Sequence, residues 1–302
     1  MRLSAILFGL VFMCAALAVA VPPQDDDVRG AFLTSRPKEK KTTTSSTRPS
    51  RRRPKTGGTP GKTPDKTTDG STGSTGPSSS SKGSKSSTSS DSRPVNVARL
   101  GLGLTLFSRD SNGLAVRVAP DRVFQKGDRV RILLETNADG YLYIFNRTND
   151  GPAVMIYPDA ELDEGGNYLQ AHVPFEIPAA DAADERLRWF AFDENAGAEK
   201  VIFVFTREPL KDVPIEDDLI AFCRNGKCPW PVATGVWDLV AQMQEPLKTD
   251  RNEKIGGEQT TAEHDASTRG LGLAKDDPQP SLIMMASSRK PTLVATLDLV
   301  HK

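Results

Sequence analysis

Large apolar side chains are nearly absent from residues 21–94 of this 302-residue chain. A stretch with so little to bury forms no core of its own, so no second globular domain is expected there. No aromatic ring interrupts residues 34–94, which leaves no platform for stacking bases, and no nucleic-acid partner is expected. Histidine is scarce. His172, His264 and His301 are the only three, and neither a G-x-S-x-G elbow nor an H-E-x-x-H helix is present. His172 reads as a strand-edge residue rather than a general base, and no catalytic residue is assigned. Cysteine is scarcer still after the first twenty residues, where only Cys223 and Cys228 remain. Four intervening residues do not match a redox C-x-x-C pair, and two thiols without a nearby histidine make a poor zinc site. No cofactor is expected.

The first twenty residues have the order of an export leader. Met1-Arg2 is short and positive, Leu3–Val19 is apolar, and Ala18-Val19-Ala20 is a small-x-small cleavage site. Val11-Phe12-Met13 ahead of Cys14 lacks the small residue that lipid modification needs. The expected location is the periplasm or the extracellular space, with no transmembrane span after cleavage. In such an oxidising compartment Cys223 and Cys228, with Asn225-Gly226 between them, are expected to form a local disulfide.

The formal charge of zero conceals a split. Residues 21–94 carry fifteen Lys/Arg against seven Asp/Glu, whereas residues 95–302 carry twenty-three against thirty-two. The basic, Ser/Thr/Pro/Gly-rich stretch is therefore expected to be a disordered tether with a reach of roughly 40–50 Å. Anionic polymer or lipid headgroups are its natural partners.

From Val95 the pattern changes to short β-rich runs separated by turns. Leu100–Phe107 (with glycines at 101 and 103), Leu114–Val118, Asp128–Thr136, Tyr141–Asn146, Val154–Tyr157, His172–Ile177, Leu187–Phe192 and Lys200–Thr206 read as strands. Asp139-Gly140 is a hairpin signal. Glu216–Phe222 and Val236–Gln244 read as short amphipathic helices, and Leu282–Met285 and Thr292–Val300 as closing strands. The expected fold is mainly β, an antiparallel β-sandwich or barrel with one or two short C-terminal helices, preceded by a long disordered segment. The divisions are 1–20 signal peptide, 21–94 tether, 95–245 β-rich domain, 246–280 polar flexible excursion, and 281–302 C-terminal strands.

Several segments resemble a known family. The run Leu133-Leu134-Glu135-Thr136-Asn137-Ala138-Asp139-Gly140-Tyr141-Leu142-Tyr143-Ile144-Phe145-Asn146 is similar to the core of the bacterial domain of unknown function 4384 family. Ile156-Tyr157-Pro158, Arg188-Trp189-Phe190-Ala191-Phe192-Asp193 and Phe205-Thr206-Arg207-Glu208-Pro209 resemble its later segments. The resemblance covers roughly residues 100–210. It implies a β-rich accessory domain of exported or surface-linked proteins and brings no catalytic residues.

Three sets of residues remain as site candidates. Tyr141, Tyr143 and Phe145 share one face of a strand, and Tyr141 and Tyr143 with Trp230 form a possible ligand face for sugar or peptide, against the alternative of core packing. Asp159, Glu161 and Asp163 alternate on a loop and are weak candidates for calcium, although the spacing is not that of an EF-hand. Asn146-Arg147-Thr148 matches a glycosylation acceptor, which means little if the source is bacterial, as the resemblance implies. The reading that fits best is an exported, non-enzymatic cell-envelope module that docks a protein partner. The alternatives are a carbohydrate- or calcium-binding β-sandwich and an uncharacterised hydrolase.

Overall fold

The computed structural model describes residues 27–38, 98–160, 166–252 and 256–302. The leader, most of the expected tether, and Glu161 and Asp163 lie outside the described residues. Among these residues are fourteen strands in two sheets and four α-helices. The first sheet has the order β12 (Leu247–Arg251), β13 (Leu282–Ala286), β1 (Gly101–Arg109), β4 (Arg129–Thr136), β8 (Phe175–Ile177). Two short strands extend it: β2 (Ala115–Arg117) on β1 and β9 (Phe190–Ala191) on β4. The second sheet runs β11 (Trp230–Pro231), β6 (Val154–Tyr157), β5 (Gly140–Thr148), β10 (Gly197–Thr206), β14 (Thr292–His301), β3 (Val123–Phe124), with β7 (Tyr168–Leu169) on β5. The arrangement is a sandwich, not a closed barrel. Its ladders are antiparallel except β3 beside β14, which is parallel.

The core between the sheets follows from period-2 alternation. Val130, Ile132 and Leu134 of β4 face Leu142 and Ile144 of β5 across it, with Leu102, Leu104, Phe203, Phe205, Leu293 and Leu297. Burial on this scale is the main driving force of the fold. The long β10 is flanked on both sides, by β5 and by β14, over registers that run nearly its full length.

Helices cover the outer face of each sheet. On the second sheet lie α2 (Glu216–Cys223) and α3 (Thr234–Met243). Their Leu219, Val236 and Val240 pack on Tyr141, Tyr143, Phe145, Ile202 and Val204. Strand β5 is thus apolar on both faces because both are covered. Cys223, at the end of α2, is joined to Cys228, with Cα atoms 4.8 Å apart. Gly226 makes the turn between them with φ +67°, a conformation that favours glycine.

On the first sheet lie α1 (Val28–Thr34) and α4 (Thr261–Arg269). Both correct the sequence reading. Residues 27–38 were expected in the tether but belong to the folded unit: Asp27 caps α1 by accepting from the Gly30 N–H, and Phe32 is fully buried. One aromatic ring and one buried arginine suffice for this because the sheet supplies the rest of the surface. Residues 246–280, expected as a flexible excursion, contain β12, paired along β13, and α4, closed by a capping box between Thr260 and Glu263. Helix α4 escapes a search for apolar periodicity because it buries Glu263, Ala266 and Ser267. It also makes a third helix after the β-rich region, where one or two were expected. Leu187–Phe192, expected as one strand, is the end of a 3-10 turn (Glu185–Arg188) followed by the two-residue β9.

Candidate functional site

The outer face of the first sheet carries a cluster of buried charged groups. Alternation along β4 sends Arg131, Leu133 and Glu135 outward, and β8 adds Glu176 opposite Leu133. Helices α1 and α4 and the chain from 270 to 280 bring partners to these carboxylates, as buried charge requires.

Glu135 is the centre of one half. Arg36 grips it with two hydrogen bonds, Nε to Oε1 at 2.8 Å and Nη2 to Oε2 at 2.6 Å. The remaining Arg36 donors reach the carbonyls of Ala274, Asp277 and Pro278 at 3.2, 3.1 and 3.0 Å. The Arg36 side chain has no exposed surface. His172 sits beside this pair, with Nδ1 2.7 Å from Glu135 Oε1 and Nε2 2.7 Å from the hydroxyl of Ser35. Its backbone is held at φ +58°, with the N–H donating to Thr136 and the carbonyl accepting from Leu273. Burial pushes the Glu135 carboxyl up, but hydrogen bonds from His172 and Arg36, with the charge of Arg36, outweigh it and hold the group below the usual carboxylate range.

The other half is less well compensated. Arg131 Nε lies 3.0 Å from Glu176 Oε1, yet the N–H does not point at the oxygen and is left without a hydrogen bond. The Arg131 guanidinium is stacked 4.1 Å from the centre of the Trp189 ring and donates to Gln259. Glu176 accepts from Gln259 Nε2 at 2.9 Å and from Ser267 at 3.1 Å. Burial dominates here, and Glu176 is raised above the usual carboxylate range despite Arg131, Gln259 and Ser267, with nearby Glu263 adding to the rise. Glu263 itself pairs with Arg117.

Two functions are chemically open to this arrangement. Glu135 with three carbonyls forms a planar receptor for a guanidinium, the geometry that makes paired Arg–carboxylate bonds strong. Ser35, His172 and Glu135 also stand in the order hydroxyl, imidazole, carboxylate of a nucleophilic relay, with Ser35 exposed and the other two buried. His172 Nδ1 faces Glu135, which also holds Arg36, and Nε2 faces the Ser35 hydroxyl. The Ser35 hydroxyl donates to the Phe32 carbonyl at 2.7 Å.

The sequence candidates fare differently. Tyr141 and Tyr143 are not an open ligand face. Tyr143 is fully buried, its hydroxyl accepts from the Leu210 N–H at 2.9 Å, and Tyr141 packs edge-on against Tyr168. Trp230 is half-buried against the same cluster. Alternation had placed the tyrosines on one face correctly, but α2 and α3 cover that face. Asp159 is described without its companions Glu161 and Asp163, and among the described residues no three His, Cys, Asp or Glu are grouped to hold a metal ion. His264 is exposed on α4, and His301 is buried with Nε2 3.7 Å from Glu199. Sequence reasoning missed Ser35, Arg36, Glu135 and Glu176. The available signal was spacing: Arg29 and Phe32 stand at i and i+3, one face of α1, with Arg36 two residues beyond its end.

No curated protein and no solved structure matches this chain. Part of it does match a family. Residues 123–209, from β3 through β10, supply Glu135 and His172 and strands to both sheets, and over them the chain matches the family model described as Domain of unknown function (DUF4384), the family its segments resemble.

Proposed function

We propose that this protein is an exported accessory module of the cell envelope that docks a protein partner and holds anionic polymer or lipid headgroups with its basic segment. The observation that carries the reading is how residues 39–97 are attached. They contain twelve Lys/Arg and four Asp/Glu, and both ends join the acidic domain at the same corner. Before the segment, Arg36 is held by Glu135. After it, Asn137 Nδ2 donates to the Arg99 carbonyl at 2.9 Å and Asn137 Oδ1 accepts from the Gly101 N–H at 2.7 Å. Glu135 and Asn137 are two residues apart at the end of β4. The residues on either side of the basic stretch are therefore held by one domain. The leader-like first twenty residues and the Cys223–Cys228 pair support export.

The test is co-sedimentation with cell envelopes. Full-length protein is expected to sediment, with binding that weakens steeply as salt rises. Replacing the twelve Lys/Arg of residues 39–97 with Gln is expected to abolish sedimentation. Equal sedimentation of both proteins overturns the reading.

The geometry of Ser35, His172 and Glu135 favours a second reading, a serine hydrolase. In it the Ser35 oxygen attacks an ester carbonyl, its proton passes to His172 Nε2, and the leaving alcohol takes that proton as the acyl-enzyme forms. It ranks second because the charge of Glu135 is already committed to Arg36 and so steadies an imidazolium less. Labelling of wild-type protein by a fluorophosphonate, lost in Ser35→Ala, establishes it; no labelling at Ser35 removes it.

A further inference from the structure

We infer that the outer face of the first sheet is a peptide-binding site that reads the sequence Arg-x-x-Phe-x-x-x-Arg, with its first two anchors on a short helix and the second arginine just beyond that helix, filled in this protein by its own residues 27–38.

Three subsites lie in a row. Arg29 is held at one end by Asp250, with Nε and Nη2 2.9 and 2.6 Å from Oδ1, and by Gln279 Oε1 and the Pro280 carbonyl, both at 3.2 Å from Nη1. Phe32 fills the middle, against Ile283 and Met285 and edge-on to the His172 ring at 5.6 Å. Arg36 occupies the receptor made by Glu135 and three carbonyls. The middle subsite explains an otherwise puzzling pair of glycines in the apolar strand β1. A Cβ at Gly101 would lie 2.8 Å from Phe32 Cδ2, and one at Gly103 would lie 3.1 Å from Phe32 Cζ and 2.5 Å from Pro280 Cγ. Gly103 also pairs with Glu135 in register, so the absent side chain leaves room for the ring beside the carboxylate.

The contacts are those of a ligand more than of a continuous fold. Among the described residues, the hydrogen bonds from residues 27–38 to the rest of the domain all reach at least 99 residues along the chain. Nearly all are made by side chains, with Lys275 N–H donating to the Pro37 carbonyl as the backbone exception. The segment adds no strand to either sheet. A short helix that lays its anchors into a groove is a recurrent mode of peptide recognition, and here α1 presents Arg29 and Phe32 while Arg36 follows its C-cap, Ser35.

The experiment uses full-length protein with a specific protease site inserted between Gly73 and Ser74. After cleavage, the N-terminal fragment is expected to co-elute with the domain on native gel filtration. A free peptide of residues 27–38 added in excess is expected to displace it. The same peptide carrying Arg36→Ala is expected to need at least about 30-fold more, the factor for a buried anchor arginine. Because these changes are in the peptide, the domain stays wild type. Separation of the fragment on cleavage while circular dichroism shows the domain folded overturns the proposal, as does equal competition by the Arg36→Ala peptide.

Discussion

The two outer faces of this sandwich solve the same problem by opposite means. On the second sheet, α2 and α3 cover tyrosine, phenylalanine and valine with leucine and valine. On the first, α1, α4 and the segments beside them bring Arg36, His172, Gln259 and Ser267 to the buried Glu135 and Glu176. Apolar cover is non-directional and tolerates small shifts. Charged cover works only when each donor finds its acceptor, since a buried charge left alone is costly. The first face is therefore the more specific and the more fragile. It is also where the chain's long-range attachment is made, because a guanidinium receptor distinguishes its ligand as an apolar patch does not.

The comparison breaks most visibly at Glu135. Glu135→Ala leaves Arg36 and His172 without their carboxylate and is expected to cost about 3–5 kcal/mol in denaturant unfolding. Leu219→Ala on the apolar face is expected to cost about 2–5 kcal/mol by loss of packing alone. The faces are then separated by pH. Glu135 is depressed in the folded state, so its contribution is present above its unfolded value and is lost as pH falls through the folded one. The gap in stability between wild type and Glu135→Gln should accordingly shrink in acid, while the gap for Leu219→Ala should stay constant. A constant gap for both would erase the distinction.

Glu176 sharpens the contrast within the polar face. It is raised in the folded state, so the stability it lends is full below its unfolded value and is lost as pH rises through the folded one. Wild type minus Glu176→Gln should thus slope opposite to wild type minus Glu135→Gln across the acid range, read by thermal unfolding at a series of pH values. Smaller effects follow. Gly103→Ala drives a methyl into Phe32 and Pro280 and is expected to cost about 1–3 kcal/mol by overpacking. Ser35→Ala removes one exposed hydroxyl and is expected to cost about 0.5–1.5 kcal/mol.

What the sequence disclosed follows the same division. Sandwich strands were legible where an apolar residue faced the core, as in Val130, Ile132 and Leu134, because alternation reports burial directly. Helix α3 was legible from Val236 and Val240. The first sheet's outer face was not, since Arg131 and Glu135 on β4 and Glu263 and Ser267 on α4 look solvated to any rule based on hydrophobicity. Their burial depends on partners up to 146 residues distant, as between Arg117 and Glu263. Helix α1 stood in a stretch too polar to fold alone, and it packs on the first sheet through Phe32. The tyrosines failed in the other direction: their shared face was correct, and the helices that cover it were foreseen but not placed there.

Hydrogen–deuterium exchange on the full-length protein tests the attachment of residues 27–38 most directly. Amides of residues 31–36 should exchange slowly, in step with those of β13, and should become fast in Glu135→Ala. Exchange of residues 31–36 in the wild-type protein as rapid as that of an unfolded peptide would contradict the docked segment.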